Sequence, residues 1–110
     1  MPDANARLLG ALGLCRKAGG LLWGSDRVQE AVQNGKACLV LLTNDASART
    51  RTRFYQVCSD GPPCRDLPLS STDLAGLSPR PAAVFAITKP ELARLCAQHL
   101  PSKEETAHGI

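Results

Sequence analysis

Residues Leu21–Asp45 read LLWGSDRVQEAVQNGKACLVLLTND: a strand, a glycine turn, a helix, a glycine stop and a second strand in immediate succession. Leu21-Leu22-Trp23 is short and apolar, and Gly24 lets the backbone turn after it without a side-chain penalty. Ser25 or Asp26 is the predicted cap of the helix that follows. Val28, Ala31 and Val32 recur at helical spacing, Gly35 ends the helix, and Cys38-Leu39-Val40-Leu41-Leu42 reads as a buried strand. Gly24 thus precedes a helix N-terminus, where backbone N–H groups suit a phosphate.

The flanking sequence continues the alternation. Asn5 to Lys17 reads as a helix with Leu8, Leu12 and Cys15 on one face and Leu9 widening it. Arg16 and Lys17 stand at the negative end of its dipole, before the stop at Ala18-Gly19-Gly20. After the strand, expected over 37–43, Asn44-Asp45-Ala46-Ser47 is a helix-start signal for a third helix running to about Cys58. Phe54, Val57 and Cys58 form its inward face. Arg49 and Arg53 share a side of it while Arg51 projects from another, so they make no single basic stripe.

Ser59-Asp60-Gly61-Pro62-Pro63 is a turn, and a short strand is expected from Cys64 to Leu69, held to a sheet edge or an early end by Pro68. A brief helix is expected over Leu74 to Leu77, a loop at Ser78-Pro79-Arg80-Pro81, and a strand from Ala82 to Ile87. Lys89-Pro90-Glu91 opens a last helix with Leu92, Leu95 and Cys96 inward, and proline where a first turn tolerates it. Such alternation predicts an α/β fold, a mixed or parallel sheet with helices on both faces.

At 110 residues the chain is expected to form one domain over 1–100, followed by a polar, mobile tail over 101–110. Thirteen Lys and Arg against ten Asp and Glu give a net charge of +3, mildly basic and below the usual balance of nucleic-acid-binding domains. No signal-peptide pattern and no apolar run of membrane-spanning length occur, which predicts a cytoplasmic protein without a membrane partner. The five cysteines are odd in number and scattered, and Cys15, Cys38 and Cys58 read as small core residues. Cys96 and His99 could present two metal ligands on one helical turn, but no second ligand pair has usable spacing, so no metal is expected.

Catalytic chemistry is not expected. His99 lies near the end of the last helix and His108 in the tail, neither placed as a general base. Gly19, Gly20 and Gly24 match no dinucleotide or P-loop pattern, and Ser25, Ser70 and Ser71 lack a histidine partner. Glu104 and Glu105 read as a solvated charge run. No cofactor is implied.

The order and joining residues of these elements resemble the kink-turn-binding ribosomal protein superfamily of archaeal L-seven-Ae and eukaryotic L-thirty-e type, and its small bacterial ribosomal-protein-like branch. The resemblance rests on Leu12-Gly13-Leu14-Cys15-Arg16-Lys17-Ala18-Gly19, Trp23-Gly24-Ser25, Gly35-Lys36-Ala37-Cys38-Leu39-Val40-Leu41-Leu42, Asn44-Asp45-Ala46-Ser47 with Thr50, and Val84-Phe85-Ala86-Ile87-Thr88. These segments cover most of Leu8 to Leu95, and their order and spacing carry the specificity. The resemblance implies a three-layer α/β/α sandwich with a four-stranded mixed central sheet. It also implies non-catalytic binding of structured RNA, ribosomal or other, in connection with the ribosome or translation.

In that superfamily the RNA surface comprises the turn and N-terminus of the second helix plus the loop before the last strand. By position this maps onto Gly24, Ser25, Asp26, Arg27 and Glu30, and onto the Leu77 to Pro81 loop with Ser78, Pro79 and Arg80. Kink-turn readers carry asparagine, glutamate and lysine where this chain has Asp26, Arg27 and Glu30. Ionised Asp26 accepts but cannot donate, Arg27 can bind phosphate or a guanine edge, and Glu30 puts negative charge where a lysine would meet the backbone. The departures argue against kink-turn-specific recognition and for another structured RNA. A protein-interaction module that keeps the fold is the alternative. Arg16 and Lys17 serve the helix dipole alone or extend a basic rim toward the same turn. Trp23 reads first as a core residue and second as a base-stacking platform. Arg80, stiffened by Pro79 and Pro81, loses little entropy on binding.

Overall fold

Two apolar runs, Leu39–Leu42 and Val84–Ile87, are buried at every position and form the two central strands, β2 and β4. Successive side chains of a strand point to opposite faces. Leu39, Leu41, Phe85 and Ile87 therefore enter one hydrophobic core, and Val40, Leu42, Val84 and Ala86 the other. β1 (Leu21–Trp23) and β3 (Cys64–Asp66) flank them in the order β1-β4-β2-β3. β4 runs antiparallel to both β1 and β2, whereas β3 is parallel to β2, so the four-stranded sheet is mixed. The computed structural model describes residues 4–101. The expected tail beyond Pro101, with His108, Glu104 and Glu105, lies outside them.

Helices α1 (Ala4–Lys17) and α4 (Pro90–Gln98) cover the first face together with a 3-10 turn at Ala75–Leu77. Helices α2 (Ser25–Gln33) and α3 (Ala48–Val57) cover the second through Val28 and Phe54, both fully buried. The result is a three-layer α/β/α sandwich, as the resemblance implies and in agreement with the alternation. Cys15 on α1 and Cys96 on α4 meet sulfur to sulfur at 3.6 Å inside the first core. Their shared hydrogen bond lowers the Cys15 thiol's pKa and, with burial, raises that of Cys96.

Element ends depart from expectation where loop chemistry outweighs apolar pattern. β2 covers Leu39–Leu42, shorter than 37–43, although Cys38 N–H donates to Ile87 C=O at 2.7 Å and Thr43 N–H to Ala83 C=O at 2.9 Å, just past its two ends. β3 stops at Asp66 rather than Leu69, with Pro68 just beyond and unable to donate to a ladder. The helix expected at Leu74–Leu77 is a single 3-10 turn, and β4 begins at Val84 rather than Ala82. α2 is capped by neither Ser25 nor Asp26. Its N-cap is Gly24, with no side-chain hydrogen bond. Ser47 does cap α3, accepting from Thr50 N–H at 3.1 Å.

The register gathers several ends at one edge of the sandwich. Trp23 pairs with Phe85, and Leu42 pairs with both Val84 and Asp66. The C-terminal ends of β1, β2 and β3 thus meet the N-terminal end of β4. α2 and α3 both start from this edge, and the loop before β4 arrives there.

Candidate nucleic-acid interface

Gly24 turns the chain from β1 into α2 at φ 94° and ψ 141°, a region open essentially to glycine alone. Its N–H donates to Val84 C=O at 3.1 Å and its C=O accepts from Val28 N–H at 3.0 Å. Gly24 is therefore wholly occupied in joining sheet to helix. The N–H groups of Ser25, Asp26 and Arg27, in the first turn, have no intrahelical acceptor, and no side chain caps them.

Across from this turn lies the loop Ser78–Ala82. Ser78 is 7% exposed, and its hydroxyl donates to the Arg80 C=O. This serine shapes the loop rather than facing outward. Pro79, Arg80 and Pro81 are exposed. Between helix and loop runs a groove of about 490 Å³, lined by Trp23, Gly24, Ser25, Asp26 and Arg27 on one side and by Pro79, Arg80, Pro81 and Ala82 on the other. Two segments more than fifty positions apart in sequence, which the resemblance places on one surface, form the walls of one groove.

Trp23 is half-buried rather than enclosed. It packs against the first core, yet lines the groove. The Arg16 guanidinium lies 5.7 Å and that of Arg27 5.5 Å from its ring centroid, distances suited to cation–π attraction. Arg16 also donates to Gly76 C=O at 2.9 Å, linking α1 to the 3-10 turn. It therefore does more than serve its helix dipole. Lys17 is exposed at the end of α1 and does not line the groove.

The acidic residues are arranged differently from one another. Asp26 is fully exposed at the start of α2, with Arg53 of α3 3.6 Å away. Arg53 also donates through Nε to Gln29 Oε1 at 2.9 Å, so α3 lends positive charge to the helix start. Glu30 lies outside the first groove and borders a second one beyond Arg27. Arg51 is engaged by Asp66 and by Thr43 C=O, while Arg49 remains exposed. Two features differ from the sequence reading: Trp23, read first as a core residue, is half-exposed, and the Arg53 clasp is not foreseen. The first had a signal, since Trp23 ends a short strand just before a turn. The second had none, because Gln29 and Arg53 meet only through helix packing.

Cys96 is buried against Cys15. Among the described residues no three metal-ligating side chains cluster, and no helix is long and apolar enough to cross a membrane.

No protein-family model matches the chain, and no curated protein does. Solved structures do. A protein of unknown function from Bacillus halodurans aligns at 27% identity and a TM-score of 0.78, covering 86% of this chain and 96% of that one. A 15.5kD RNA binding protein from Giardia lamblia aligns at 23% identity and a TM-score of 0.71, covering 90% of this chain and 86% of its own. These alignments span nearly the whole sandwich, and the second shows likeness of fold alone.

Proposed function

We propose that this protein binds structured RNA without catalysis, through the groove between the α2 N-terminus and the loop before β4. The observation that carries the reading is the union, in one groove, of uncapped helix amides with Arg27, Arg80 and the half-exposed Trp23. Amides at a helix start favour an anion, guanidiniums bind phosphate or a guanine edge, and an indole offers a stacking face. The fold shared with an RNA binding protein from Giardia lamblia supports the same class of partner. So does the resemblance of the joining residues to the kink-turn-binding superfamily.

Asp26, Arg27 and Glu30 favour an RNA other than a kink-turn. Aspartate cannot donate as an asparagine amide does, and Arg27 cannot accept from a base amino group. Shape and phosphate contacts then dominate, with α2 set against the ribose-phosphate backbone. A role beside the ribosome or in translation, in the cytoplasm, belongs to the same proposal.

Filter binding of ribosomal RNA fragments and a kink-turn hairpin at low salt tests it. Wild-type protein should retain ribosomal fragments better than the kink-turn, with affinity falling steeply as salt rises. Arg27→Glu and Arg80→Glu should each weaken retention. No retention of any RNA, together with a protein partner captured after nuclease treatment, would favour the interaction module instead.

A further inference from the structure

A second groove of about 490 Å³ runs beside the first, along the flank of α2. Leu22 of β1 and Ala31 of α2 give it an apolar floor, Ala31 being 4% exposed. Arg27 and Lys36 supply cationic groups, and Arg27 lines both grooves. Glu30, Asn34 and Thr88 complete the walls. Nothing in the RNA-binding reading above uses this groove, and it leaves Glu30 as a bare penalty against a polyanion.

We infer that the second groove holds one unpaired guanine nucleotide of the same RNA strand. The inference rests on the RNA-binding reading of the first groove. Three features carry it. First, the site is concave with an apolar floor, so a base freed from pairing can enter it while a stacked base pair cannot. Second, the two grooves share Arg27, and α2, with nine residues, is about 13 Å long. A strand seated on the helix start therefore reaches the second groove without leaving the surface, and Lys36 supplies a cation for a flanking phosphate.

Third, Glu30 selects the base. An ionised carboxylate is acceptor-only and takes two donors side by side. Guanine alone presents two adjacent donors on its pairing edge, the ring N1–H and the N2 amino group. Uracil offers one N–H between two carbonyl oxygens, which a carboxylate repels. Asn34 and Thr88, each donor and acceptor, are available for the remaining base and ribose groups. Glu30 then reads the base, and its negative charge is matched rather than opposed.

The test uses the full chain and hairpins of one stem with a uridine loop, in which a single central nucleotide is guanosine, inosine or uridine. Inosine keeps N1–H and lacks the amino group. The guanosine hairpin should bind roughly tenfold tighter than the uridine one, the size of one base contact, with inosine between them. Glu30→Gln should remove that preference, and Lys36→Glu should weaken all three hairpins while lowering the salt slope by about one. If Arg80→Glu weakens binding while wild type shows no guanosine preference and both second-groove variants bind as wild type, the inference is overturned and the RNA-binding reading stands. If wild type retains none of the hairpins and no ribosomal fragment either, both fail.

Discussion

Gly24 sits where any other residue would strain the backbone, although an added Cβ would meet nothing within 4 Å. The constraint is torsional rather than steric. Gly24→Ala is therefore expected to cost about 1–3 kcal/mol of stability, measured by urea denaturation. Gly13, inside α1, has equally open space and no left-handed backbone. Gly13→Ala should instead stabilise by about 0.5–1 kcal/mol in the same assay, because alanine loses less entropy in a helix. A destabilised Gly13→Ala with an unchanged Gly24→Ala would refute the torsional argument. Asp45 offers a second residue-level test. The Ser71 hydroxyl, 2.7 Å away, and the Ser71 N–H, at 3.0 Å, help hold its carboxyl at about 2, below the ordinary 3.8. A depressed carboxylate stabilises the fold above its unfolded pKa and ceases to do so as pH falls through the folded value. The melting-temperature gap between wild type and Asp45→Asn should thus be full above about pH 5, shrink as pH falls toward about 2, and close only below about pH 2. A gap that stays constant over that range would sink the assignment.

Among the elements, helices were easier to read than strand ends. The α1 face of Leu8, Leu12 and Cys15 is buried as its spacing requires, since an amphipathic period reports on one helix and one core. Strand ends depend on the partner strand. β3 shows this, because Pro68 announces an early stop but only pairing with Leu42 fixes Asp66 as the last residue. Layer assignment likewise decides the cysteines. Cys15, Cys58, Cys64 and Cys96 are buried, and Cys38, just ahead of β2, is half-buried. A thiol reagent on native protein should label Cys38 promptly and the other four only on unfolding, as peptide mapping would reveal. Prompt labelling of Cys15 or Cys96 would contradict the α1–α4 packing.

At the scale of the molecule, a net charge of +3 is small for a protein proposed to hold RNA. Its distribution matters more than its sum. Arg27 and Arg80 line one groove, Arg16 lies over the Trp23 ring at its wall without lining it, and Arg53 stands beside the one carboxylate that does. Affinity should accordingly fall log-linearly with salt, and Arg27→Glu and Arg80→Glu should each flatten the slope by about one. Salt-independent binding would argue for a partner other than RNA.

The alternation of apolar periods, the glycine stops and the capping residues by themselves determined the α/β class, the number of strands and the turn at Gly24, because these are local choices of backbone and burial. The resemblance of the joining residues, in turn, assigned the segments around Gly24 and around Arg80 to one RNA surface. Only the tertiary structure decided that the two segments are opposite walls of one groove, that the guanidiniums of Arg16 and Arg27 both lie over Trp23, and that Glu30 belongs to a different hollow from Asp26. Those outcomes hang on strand order and register, which bring residues distant in the chain to one edge of the sheet and leave no trace in any short window of sequence.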